Sequence, residues 1–139
     1  MADYHNFVVT THPFKVEDEE AFKRDLESLG VEPADAWCSG LHYDQNPDGT
    51  FWLGGYDAYL IQYEPDGEEI DVTKIIQKHI RAGDYAVFKI VGHEALRSVT
   101  GDVAVVTKKK ILWKNLDEVA NELLREALPR EPVSPRKTT

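Results

Sequence analysis

The spacing of apolar residues changes several times along the chain, and each change predicts an element. Phe7, Val8 and Val9, flanked by the β-branched Thr10 and Thr11, predict a strand over residues 5–11. Pro13 ends it, because proline has no N–H to give to a central ladder. Over residues 18–29 the period becomes helical: Phe22, Leu26 and Leu29 share a stripe, acids fill the first turn, and Gly30 suits a left-handed cap. Residues 40–54 alternate around Asn46-Pro47-Asp48-Gly49, where proline presets the second turn position and glycine accepts positive φ, predicting a β-hairpin. A further strand is expected over residues 58–63, where Tyr59, Ile61 and Tyr63 alternate with Leu60 and Gln62 before the turn Pro65-Asp66-Gly67.

In the second half, Asp71 is placed to cap a helix whose stripe is Val72, Ile75, Ile76 and His79 or Ile80, with Gly83 as its stop. Residues 85–91 are apolar enough for a central strand, and residues 92–99 are expected as a short irregular or helical turn. Residues 102–107 pair with 111–113 across Lys108, Lys109 and Lys110. Asn115 and Glu118 then have the spacing of a capping box ahead of an apolar face of Leu116, Val119, Ala120, Leu123, Leu124 and Leu128, stopped by Pro129. These elements predict one α+β domain over residues 1–128 and a tail over 129–139, which holds three prolines among polar neighbours. The expected architecture is two-layer, a mainly antiparallel sheet with about three helices on one face. A ferredoxin-like variant is the nearest template, and that name carries no function.

Length and composition fit this picture. A chain of 139 residues with 42% hydrophobic and 29% charged residues supports one well-solvated core. The longest apolar runs, residues 85–88 and 103–106, fall far short of the ~20 residues that cross a bilayer, and the N-terminus lacks a basic apolar leader. No membrane contact and a cytoplasmic location are expected. The single cysteine, Cys38, has no internal disulfide partner, as in a reducing compartment.

Charge changes the picture more. The net −9 divides unevenly: residues 1–70 carry 16 acids against Lys15, Lys23 and Arg24, a net of −13, while residues 71–139 carry 9 acids against 13 bases, a net of +4. Such a split hints at an interaction surface, although linear segregation need not survive strand pairing.

Candidate chemistry is sparse. Asp44, Asn46, Asp48 and Gly49 begin like a calcium loop, but Gly55 stands where a closing glutamate is needed and Pro47 explains the segment as a turn. Cys38, His42 and Asp44 raise a thiol nucleophile or a metal site, yet a structural zinc would still lack its fourth ligand. His93, Glu94 and Arg97 fall in a polar turn between strands, where they could hold an anion or move a proton. No serine elbow, phosphate loop or zinc-protease motif accompanies them, so neither a catalytic residue, a metal nor a cofactor is assigned. The aromatics Trp37, Trp52, Trp113, Tyr43, Tyr56, Tyr59 and Tyr63 could stack bases, but the net charge opposes direct nucleic-acid binding. Lys74, Lys78 and Arg81, with Lys108, Lys109 and Lys110, are read as solvated faces.

The strongest binding candidates are two acidic clusters, Glu17, Asp18, Glu19 and Glu20, and Glu64, Asp66, Glu68 and Glu69. A surface dense in carboxylates imitates nucleic-acid phosphates and fits a basic groove, although helix starts and turns also collect acids. Through residues 14–26, Leu53-Gly54-Gly55-Tyr56 and the stretch 92–101, the chain resembles a family of small bacterial and phage proteins, and the resemblance implies a mobile-element setting. The preferred expectation is a non-enzymatic acidic interaction domain, an inhibitor that binds a basic nucleic-acid-handling protein. A small enzyme or ligand-binding domain using His93, Glu94 and Arg97 is the alternative. A homodimer in which acidic and basic surfaces meet is the third.

Overall fold

A computed structural model describes residues 4–34, 39–94 and 98–128. The chain runs β1 (Tyr4–His12), α1 (Glu19–Ser28), β2 (Glu32–Pro33), β3 (His42–Gln45), β4 (Phe51–Tyr56), β5 (Ile61–Tyr63) and β6 (Glu69–Asp71). It continues through α2 (Val72–His79), β7 (Tyr85–Glu94), β8 (Ser98–Thr107), β9 (Ile111–Asn115) and α3 (Leu116–Ala127). The fold is α+β, with a seven-stranded sheet in the order β2-β3-β4-β1-β7-β8-β9 and a separate hairpin, β5-β6. Every neighbouring pair in the large sheet is antiparallel except the short β2-β3 contact.

Local chemistry accounts for the element boundaries. Asp18 caps α1 by accepting the Ala21 N–H at 3.1 Å. At the other end Gly30 takes φ +86°, and two hydrogen bonds close the terminus, Gly30 N–H to the Glu27 carbonyl and Val31 N–H to the Leu26 carbonyl, each 3.0 Å. This is a Schellman closure, with buried Val31 against buried Leu26 as its apolar clasp. Asp71 caps α2 by accepting from Thr73 N–H at 3.0 Å, and Asn115 with Glu118 forms a full capping box on α3. The α2 helix stops at His79, short of Gly83, because Ile80 forms an isolated bridge with Val16.

Pleating sorts the sheet into two faces. On the inner face Val8, Tyr43, Phe51, Leu53, Ala86, Phe88, Ala104 and Val106 are buried together with Phe22 and Leu26 of α1 and Val72 and Ile76 of α2. Four phenylalanines hold the centre: Phe22 meets Phe14 at 5.8 Å and Phe51 at 5.1 Å between ring centroids, and Phe14 meets Phe88 at 6.2 Å, all edge-on. Buried Asn6 secures the exit from β4, its side-chain amide donating to the Ala58 carbonyl while its backbone carbonyl accepts from Asp57 N–H at 2.8 Å. Past the β1 register shift between Thr10 and His12, the Thr10 hydroxyl donates to the Leu53 carbonyl and accepts from Leu53 N–H, both at 2.7 Å, substituting for ladder bonds.

Two expectations change. Residues 92–99 are not one irregular or helical turn: β7 continues to Glu94 and β8 begins at Ser98, with the ladder intact from Gly92↔Thr100 to Glu94↔Ser98. Residues 95–97 lie outside the described residues, as do 35–38 and the tail 129–139. The expected placement of all the helices on one face also fails for α3. Its first residue, Leu116, lies against Gly101, where an added Cβ would stand 2.8 Å from Leu116 Cδ1. Gly101 pairs with Val91, so both point away from the face that carries Phe88 and Ala104. No residue of α3 is buried.

Candidate functional site

The two acidic clusters do not merge. Glu17 gives its N–H to the His79 carbonyl at 2.8 Å, which places the first cluster at the C-terminal end of α2. The second ends at Glu69, two residues before Asp71, the cap at the opposite end of the same helix. The eight residues of α2 separate them by about 12 Å at 1.5 Å per residue. The first cluster is partly consumed by the fold: Asp18 is a cap, Glu20 pairs with Lys23 at 3.8 Å, and Glu17 with Lys108 at 2.7 Å. The Lys108 ammonium holds the Glu17 carboxyl below its ordinary pKa through that hydrogen bond. In the second cluster Asp66 accepts the Glu68 N–H at 3.0 Å, and Glu64, Asp66, Glu68 and Glu69 are exposed with no ion pair among the described residues.

Folding brings the acidic and basic halves of the sequence into contact. Besides Glu17 with Lys108, Asp25 of α1 meets His79 Nε2 at 2.6 Å and Lys78 Nζ at 3.3 Å on α2. The His79 hydrogen bond is the main cause of a lowered Asp25 pKa, with Lys78 second. Two of the bases read as a solvated patch, Lys78 and Lys108, are therefore tied to acids of α1 or the segment that enters it. The linear split is partly cancelled in space.

Of the polar turn only His93 and Glu94 are described, and they diverge. His93 and Glu94 are consecutive residues of β7, so their side chains point to opposite faces. His93 sits beside His5, with ring centroids 5.6 Å apart, and Arg97 lies outside the described residues. Cys38 and Trp37 do as well, so the grouping with His42 and Asp44 is undescribed at one corner. His42 has its ring nitrogens 3.2 Å and 2.8 Å from the carbonyls of Glu32 and Ser39, while Asp44 accepts the Gln45 N–H at 2.8 Å. In the calcium-like segment, Asp48 accepts from both the N–H and hydroxyl of Thr50 at 2.9 and 2.6 Å, with Gly49 at φ +92°. Those oxygens hold the turn. Among the described residues no group of three or more His, Cys, Asp and Glu is arranged to hold a metal ion.

Of the aromatics, Tyr43 is buried with its hydroxyl donating to Glu27 at 2.7 Å, whereas Tyr56, Tyr59, Tyr63 and Trp113 are exposed. Their exposure is scattered between the β5-β6 hairpin and the two faces of the large sheet.

The feature that sequence reasoning missed is apolar. On the face opposite α1 and α2, Val91, Val99, Val103 and Leu112 are exposed. Beside them Leu116, Val119, Leu123 and Leu124 of α3 and its C-cap Leu128 are exposed as one helical stripe. Val91, Val99, Val103, Leu116 and Val119 line a groove of about 250 Å³ together with Lys89 and Lys114. Lys114 pairs with Glu122 at 2.6 Å, which fastens α3 to β9 and lowers the Glu122 pKa through the same hydrogen bond. The sequence signal was present: both strand faces of residues 99–106 carry valine, the pattern of a strand covered on two sides. No helix among the described residues is long and apolar enough to cross a membrane. Comparison with family models, with curated proteins and with solved structures found no match for this chain.

Proposed function

We propose that this chain is a non-enzymatic protein-interaction domain whose binding surface is the open face of β7-β8-β9 together with α3. The observation that carries this reading is the set of exposed valines of the sheet face, which share a groove with Leu116 and Val119, together with the exposed Leu123, Leu124 and Leu128 further along the same helical stripe. A monomer in water gains nothing from an amphipathic helix with no buried residue, since most helix stability in proteins comes from packing the apolar face. The groove itself is below the ~300–1,000 Å³ of small-molecule pockets, and its lining offers no cluster of convergent polar groups.

The fold is compatible with many functions. The segment order β1-α1-β3-β4-α2-β7, with these strands adjacent as β3-β4-β1-β7, supports a ferredoxin-like variant extended by β8 and β9. That likeness adds no function of its own.

Photo-crosslinking tests the reading. A benzophenone side chain is placed at Val99, at Leu123 and, as a control, at Lys74 on the outer side of α2, in cells that produce the full chain. Protein adducts at the first two positions and not the third are expected. No adduct at Val99 and Leu123 overturns the proposal.

A second reading keeps the acidic inhibitor expected from the sequence, binding the basic surface of a nucleic-acid-handling protein in a phage or plasmid setting. The acids of the β5-β6 hairpin, exposed and with no ion pair among the described residues, favour it. Its test is affinity capture across a salt series with Glu64→Lys, Glu68→Lys and Glu69→Lys combined. Binding indifferent to both salt and charge reversal removes it.

A further inference from the structure

We infer that the occupant of the open face is a second copy of this chain, with α3 of each copy laid reciprocally across the β7-β8-β9 face of the other. The inference rests on the interaction reading above and names its partner.

Area is the first argument. The exposed valines and leucines of the sheet face and helix show between 36% and 63% of their surface. Nine such residues expose several hundred Å², on the order of the ~300–600 Å² of the largest patch on a typical monomer and of the ~800 Å² that each partner contributes to a stable interface. An open sheet face and a projecting apolar helix on one molecule are also complementary in kind. Two copies related by a twofold axis satisfy both at once, as an isologous contact requires.

Charge and the remaining chain point the same way. Lys89 on the open face has no ion pair among the described residues, and α3 carries Asp117, Glu118, Glu122 and Glu126 against the single Arg125. An incoming α3 therefore brings carboxylates to Lys89, while the same net charge repels an anionic lipid surface. Residues 129–139, the segment beyond α3, offer only Val133 and three prolines as apolar cover. That composition does not match a stripe of leucines.

The experiment is sedimentation equilibrium of the full chain over a range of micromolar concentrations, at low and high salt. A species of twice 15.8 kDa that persists at high salt is expected, because apolar burial is not screened as surface charge is. Leu123→Glu and Val99→Lys, at residues 60% and 63% exposed in one copy, should each weaken association by about tenfold or more. Circular dichroism of each variant should remain that of the folded chain, and Arg125→Ser on the polar side of α3 should leave association unchanged. Mixing the two weakened variants should restore a dimer, because one native contact survives and the other sets Glu against Lys.

A chain that stays monomeric at every concentration overturns the inference, as does a dimer that ignores both substitutions or a mixture that fails to associate. The interaction reading fails separately. A monomer that crosslinks through Leu123 to a different protein leaves that reading standing and removes the second copy, whereas no adduct removes both.

Discussion

Replacing Phe22 by alanine empties the centre of the inner core without disturbing the helix that carries it. Phe22 is fully buried on α1 and touches three rings, Phe14 at 5.8 Å, Phe51 at 5.1 Å and His79 at 5.6 Å. Loss of a buried phenylalanine costs about 3–5 kcal/mol, since the transfer term and the cavity term add. Alanine recovers about 0.5 kcal/mol of helix propensity, leaving about 2.5–4.5 kcal/mol. Against a domain stability of about 5–15 kcal/mol this is a large fraction. In urea, with m of about 2 kcal/mol/M, the midpoint should fall by about 1.2–2.3 M at unchanged m. Fluorescence of Trp52 and Trp113 reports the transition, at fixed protein concentration so that any association stays constant. A loss below about 1 kcal/mol would refute the claim that α1 is held by this cluster. Leu123→Ala is the matched contrast: on α3, with 60% exposure, it should cost a few tenths of a kcal/mol in a monomer, and visibly more only where a second copy covers it.

Asp71→Ala removes the α2 cap and its bond to Thr73, and should cost about 1 kcal/mol by thermal unfolding, with asparagine at the same position recovering most of it. Asp25 has a folded pKa below its ordinary value, so it stabilises the fold above about pH 4 and that contribution is lost as pH falls through the lowered value. Asp25→Asn should therefore flatten the acid limb of a stability-versus-pH curve, and an unchanged limb would show that the His79 pair does not matter. Tyr43 is pushed up from 10 by burial first and by its bond to Glu27 second. Its neutral form is the one the fold holds, so stability should fall as pH rises above about 10. Ultraviolet difference spectra should show one tyrosine titrating only with unfolding, and its absence in Tyr43→Phe assigns it.

Local chemistry was legible in the residues themselves. Asp71 and the Asn115–Glu118 box cap the helices expected of them, and the turn at Asn46-Pro47-Asp48-Gly49 closes the β3-β4 hairpin. Each of these depends on atoms within a few residues, so the pattern alone specifies it. The extension of β7 to Glu94 was not legible, because His93 and Glu94 look polar enough for a turn and are held in a strand by long ladders on both sides, to β1 and β8.

Everything that decides the candidate site is tertiary. The amphipathic pattern of α3 established that the helix has an apolar face, yet not which surface that face would meet. Gly101 receives Leu116 on the open side of the sheet because β8 turns that residue outward, and the remaining stripe is left uncovered. The charge split was plain in the sequence, but pairing Asp25 with His79 required α1 and α2 to pack side by side, and pairing Glu17 with Lys108 required the β8-β9 turn to meet the segment entering α1. Caps and turns are satisfied over short loops, whereas strand order, face and charge pairing are settled only when distant segments close on one core.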